Sequence, residues 1–136
     1  MNREQNFIIW ARGMLAREFV WGETDCASLT LAGLDVFRGT DHAFKYRGLW
    51  TDEATALAHF QAELPSQVLQ AIGCQEAALS LAVLGDVVTM PFGQWPECVH
   101  LVLGSRSLSA DPEHGVILLP TRSLTSSPEA RLWRAT

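Results

Sequence analysis

Cys26 stands where the sequence is best arranged to do chemistry. It follows Phe19-Val20-Trp21-Gly22-Glu23-Thr24-Asp25 and opens an apolar run, so a tight glycine turn delivers it to the first turn of a helix with Asp25 as N-cap. A helix N-terminus offers unpaired N–H groups and about half a positive charge, which stabilise a thiolate and lower its pKa. A cysteine so placed is a good nucleophile. The competing reading of the same position is a small apolar residue on the helix's core face.

Few other residues compete with it. The three cysteines, Cys26, Cys74 and Cys98, are an odd number whose spacings fit neither a disulfide framework nor a zinc pattern, so reduced thiols are expected. Cys74, after Gly73, reads as a buried residue. Cys98 could pair with Cys26 as a disulfide or join His100 at a metal, but two potential ligands two residues apart do not make a site. No metal and no cofactor is therefore expected. His42, His59 and His114 lie in polar contexts and are expected to be solvated, and Asp86 is expected to fix a turn through a backbone hydrogen bond. Of the five tryptophans, Trp50 and Trp95 fall in connections and are the first choices for anchors at a protein interface. Any tryptophan that is buried instead needs a partner for its indole N–H.

The elements that must position these groups can be read from periodicity. Phe7, Ile8, Trp10, Ala11, Met14 and Leu15 recur at helical spacing between Asn2 and about Glu18. A second helix runs from Cys26 to Phe37 and is closed by Gly39. Residues 40–50 read as a surface connection. Thr51-Asp52-Glu53 opens a third helix, with Ala54, Leu57, Ala58 and Phe60 buried and His59 facing out, and Pro65 ends it or restarts a short turn. The run from Ala77 to Leu84 cannot be typed by period alone.

After Gly85 short apolar stretches alternate with Gly, Pro and Ser, which predicts four or five strands, the last near Leu132-Trp133-Arg134. Helices followed by strands give an α+β class in one domain over 1–136, helical to about residue 83 and sheet thereafter. At 48% hydrophobic and 18% charged residues the chain can bury a real core. A net charge of −5 without a basic cluster argues against nucleic acid. No apolar run approaches the roughly 18 residues of a membrane span, so no membrane insertion is expected. The first six residues lack the pattern of a secretory signal peptide, which points to synthesis and folding in a cytoplasm.

The stretch from Phe19 to Leu29 resembles the nucleophile motif of the NlpC-type cysteine peptidases, papain-like hydrolases of bacterial cell-wall peptidoglycan. An aromatic residue, Trp21-Gly22, a short gap and Asp25-Cys26 opening an apolar helix carry the likeness. Gly85-Asp86-Val87-Val88 is similar to that family's turn into its first long strand, and Cys98-Val99-His100-Leu101-Val102-Leu103-Gly104 to its histidine strand. The resemblance spans roughly residues 17–120 and implies a papain-like fold, helices packed on a small antiparallel sheet or half-barrel. It implies Cys26 as nucleophile, His100 as base and Ser109 as the residue orienting the base, with Asp111 and His114 nearby. Trp21, Gly22, Asp25, Asp86 and Cys98 would support them, and the Cys26 N–H would serve the oxyanion.

The family histidine lies six residues before the strand's final glycine, where this sequence has Cys98, and His100 lies four before it. Residues 98 and 100 share one strand face but are roughly 6 to 7 Å apart along it. A thiol–imidazole pair needs about 3.5 Å, so His100 can act as the base only if the strand is bulged or shifted in register. A narrower likeness, to small proteins encoded among phage tail genes that are related to NlpC-type peptidases and often lack their histidine, rests on the short chain, its N-terminal helix, the altered strand and the closing Ala130-Arg131-Leu132-Trp133-Arg134. That likeness implies a tail-tip or tail-assembly component of the virion, made in host cytoplasm, whose partners are other phage tail proteins. The alternative is an active endopeptidase that opens peptidoglycan peptide stems during infection.

Overall fold

Capping chemistry sets most of the helix starts in the structure, a computed structural model that describes residues 2–135. Helix α1 (Arg3–Met14) begins where the Asn2 side chain accepts from Gln5 N–H and Gln5 Oε1 accepts from Asn2 N–H. It stops short of the predicted Glu18 because Ala16 N–H donates to Val116 O and Val116 N–H to Arg17 O. That long-range pairing captures the backbone that would otherwise continue the helix. Helix α2 (Cys26–Arg38) is capped by Asp25 and closed by Gly39 in the left-handed conformation, both as predicted.

Residues 40–50 depart from the expected connection. Asp35 of α2 accepts from the N–H groups of His42 and Ala43 at 2.8 Å each, and so caps a short helix α3 (His42–Tyr46) from another element. Helix α4 (Glu53–Ala62) starts at Asp52, as predicted, but buries Ala56 and Phe60 and leaves Ala54 and Ala58 exposed. Phe60, buried as expected, packs on Trp50 at a centroid distance of 4.8 Å. Helix α5 (Pro65–Ala71) uses Pro65 in its first turn, where a missing N–H costs nothing.

The sheet comprises β1 (Cys74–Ala77), β2 (Val87–Phe92), β3 (Trp95–Val102), β4 (Arg106–Asp111), β5 (Gly115–Pro120) and β6 (Arg131–Ala135), antiparallel throughout in the order β1-β6-β2-β3-β4-β5. A 3₁₀ turn at Leu79–Leu81 and a short helix α6 (Thr121–Thr125) complete the described elements. The α+β class is therefore as the order of apolar patterns implied. The division at about residue 83 is crossed twice: β1 lies before it and α6 after it. β1 is only four residues long and joins the sheet by pairing with β6, a partner more than fifty residues away that no local pattern reveals.

The sheet buries both faces. Val87, Val99, Leu101, Leu108 and Val116 pack with Phe7, Leu29 and Leu34 of the helical layer, while Val88, Val102 and Leu132 pack with Leu124 and Ala130 on the other side. Gly33 sets the spacing between α2 and β3, since a Cβ there would lie 2.3 Å from Leu101 Cδ2. The absence of a side chain at this position is what brings the start of α2 close to the strand carrying Cys98 and His100.

Candidate functional site

Asp25 organises the turn that precedes Cys26. Its Oδ1 accepts from Ser28 N–H at 2.9 Å, and its Oδ2 accepts from Gly22 N–H at 2.6 Å, Ser28 Oγ at 2.9 Å and Trp50 Nε1 at 2.9 Å. One buried carboxylate thus caps α2, holds the glycine turn and binds a tryptophan 25 residues away. Gly22 has φ +83°, and a Cβ on it would sit 2.6 Å from Trp50 O, so the turn admits only glycine. Trp50, expected as an exposed anchor, is instead 2% exposed, because its indole N–H finds Asp25 and its ring lies against Phe60 and His59. His59 is half-buried in that aromatic cluster rather than solvated.

Cys26 emerges from this turn into a cavity of about 380 Å³. Phe19, Trp21 and Trp95 form one wall, with Trp21 stacked on Trp95 at 6.0 Å and edge-on to Phe19 at 4.7 Å. Cys98, His100 and Ser109 line the same cavity, and Glu53, Glu97 and Asp111 add carboxylates. Trp95 is therefore partly buried in the cleft rather than standing free on the surface. Asp86 lies apart: it accepts from Val83 N–H at 3.0 Å, fixing the turn as predicted, and pairs with Arg134 at 2.8 Å.

The Cys98 thiol, Val99 N–H and Ala27 N–H are the groups that favour a thiolate at Cys26. The Cys98 thiol has the largest effect, and together they hold the Cys26 pKa below that of an ordinary thiol despite burial and the neighbouring Asp25 charge. Cys98 moves the opposite way. Its proton is held against the Cys26 sulfur, so its own pKa is raised.

His100 does not join this pair. β2 and β3 run in regular register through Met90–Cys98, Thr89–Val99, Val88–His100 and Val87–Leu101, so no bulge slides His100 towards the thiol. Its Nδ1 lies 3.0 Å from Ser109 Oγ across β3 and β4, and among the described residues no hydrogen bond joins it to Cys26. Burial lowers the His100 pKa to about 4, leaving the ring neutral at physiological pH. The expected trio of Cys26, His100 and Ser109 thus lines one cavity but divides into two pairs, Cys26 with Cys98 and His100 with Ser109.

The sequence did not mark Glu97, nor the role of Trp50 as a buried partner of Asp25. Glu97 Oε1 accepts from Ser66 N–H at 3.1 Å and Ser66 Oγ at 2.8 Å, tying α5 to β3 at the cavity edge. Trp50 carried one usable signal, the need of any buried indole for an acceptor. His114 is exposed and pairs with Asp111 at 3.1 Å. Cys74 is buried, as predicted. Among the described residues no group of three or more His, Cys, Asp or Glu side chains could hold a metal ion, and no helix is long and apolar enough to cross a membrane.

A family model described as a domain of unknown function, DUF6950, matches residues 2–129. No curated protein matches the chain.

Proposed function

The chain belongs to the DUF6950 family of domains of unknown function, and we propose that it is a tail-tip or tail-assembly component of a phage, built on a papain-like fold whose hydrolytic site is degenerate. Its cleft then serves to bind a neighbouring subunit. The observation that carries this reading is the pairing of Cys26 with Cys98 while His100 is bonded to Ser109. Cys98 stands at the position of the histidine in the NlpC-type peptidases that the sequence resembles, and a thiol of raised pKa is a poor general base. Nucleophile and base act as a unit, so loss of an aligned imidazole removes orders of magnitude in rate.

The cleft retains what binding requires. Trp21, Trp95 and the exposed Phe92 offer aromatic area suited to an apolar segment, and Glu53, Glu97 and Asp111 favour a segment with flanking cationic groups. Co-sedimentation with purified tail particles, and its loss in Trp95→Ala, tests the reading. A protein that never sediments with tails and has no affinity for any tail subunit would overturn it.

One observation favours a second reading, an active peptidoglycan endopeptidase. Cys26 is an activated thiol at a helix start, open to a cavity large enough for a peptide stem. Incubation of wild type and Cys26→Ser with purified sacculi separates the two: muropeptide release by wild type alone supports the enzyme, and equal or no release from both removes it.

A further inference from the structure

The fold brings together two thiols that lie 72 residues apart in sequence and gives them opposite character. Cys26 opens α2 and Cys98 stands on β3, and of the groups that favour a thiolate at Cys26 the second thiol has the largest effect. Cys98 stays protonated beside it. Both open on the cavity, whereas the third cysteine, Cys74, is 3% exposed and lines none of it. An attacking thiolate, a protonated thiol in contact with it and an access path are the elements of a two-thiol oxidation centre.

We propose that Cys26 is oxidised by hydroperoxides and that Cys98 resolves the product into a reversible Cys26–Cys98 disulfide. In the first step the Cys26 thiolate attacks the terminal peroxide oxygen, an S–O bond forms, the O–O bond breaks, and the departing alkoxide takes a proton from solvent and leaves as the alcohol. In the second, the Cys98 sulfur attacks the sulfenic sulfur of Cys26, the S–S bond forms and the S–O bond breaks. The Cys98 proton leaves with the hydroxyl as water. Two thiols are oxidised by two electrons in total, and one hydroperoxide is reduced to alcohol and water. A dithiol restores the starting state by exchange.

An S–S bond is only about 2 Å long, so forming it draws the start of α2 and β3 together. The bond staples the start of α2 to β3 at the wall of the cavity, so oxidation alters the cleft whatever that cleft binds. His100 takes no part, and the inference does not depend on a role in tails.

The test treats the purified full chain with one equivalent of hydrogen peroxide and maps the digested products by mass spectrometry. The expected product is an intramolecular Cys26–Cys98 cross-linked peptide that dithiothreitol reverses, formed equally in Cys74→Ala. In Cys98→Ser the sulfenic acid should accumulate on Cys26 and be trapped by dimedone, and in Cys26→Ser the modification of Cys98 should fall at least tenfold. Only intermolecular cross-links, oxidation of Cys98 at an undiminished rate without Cys26, or intact thiols while free cysteine in the same tube is consumed would each overturn the proposal. The wild-type map needs no variant to fold.

Discussion

The His100 ring is tethered through Nδ1 to Ser109 Oγ at 3.0 Å, on the far side of one strand step from Cys98. This hydrogen bond takes one ring nitrogen out of play, and the surrounding burial disfavours the charged form, so His100 is a neutral cavity wall rather than a ready imidazolium.

A pH dependence of stability follows. The folded pKa of about 4 lies below the ordinary value of 6.5, so below pH 6.5 the unfolded chain takes up a proton that the folded chain refuses. The His100 contribution is fully present above about pH 6.5, declines as the pH falls towards 4 and is level below that. Its size is at most about 3 kcal/mol, the free energy that separates two such pKa values. Urea midpoints between pH 4 and 7 should fall with pH in wild type and fall less in His100→Gln. The ring resonances should not titrate above pH 5.

Asp25→Ala should cost about 3 kcal/mol, because it removes a helix cap and strands the Gly22 and Trp50 N–H donors in buried surroundings. Asp25→Ser should recover about 1 kcal/mol by restoring the cap alone. Denaturant unfolding followed by Trp fluorescence measures both.

Gly22→Ala should destabilise by roughly 1–3 kcal/mol, since the left-handed backbone and the carbonyl of Trp50 both refuse a Cβ. Gly39 also has a positive φ, but no atom lies within 4 Å of a Cβ built there. Gly39→Ala should therefore cost less than Gly22→Ala, and thermal midpoints of the two variants give the comparison.

Much of this fold is local chemistry and was legible for that reason. Asp25 before Cys26, Asp52 before Glu53 and Gly39 after Arg38 each act within a few residues, and the sequence marks them directly. The α+β class followed from the change of apolar period near Gly85. What escaped the sequence depends on partners far along the chain: α3 needs the Asp35 carboxylate, β1 needs β6, and the end of α1 is set by Val116. The site divides in the same way. Cys26 at a helix start is readable, and the spacing of the histidine strand together with strand geometry sets His100 one step off, but the influence of Cys98 on Cys26 and the capture of Trp50 by Asp25 depend on tertiary packing.

The claim on which the account rests is that Cys98, not His100, governs the reactivity of Cys26. Rates of iodoacetamide alkylation at Cys26, followed from pH 5 to 10, test it in wild type, Cys98→Ala and His100→Ala. The midpoint should rise in Cys98→Ala, which removes the donor, and stay at the wild-type value in His100→Ala. A profile unchanged in Cys98→Ala but displaced in His100→Ala would mean that the imidazole controls the thiol after all, and the proposal of a degenerate cleft would have to be given up for a working one.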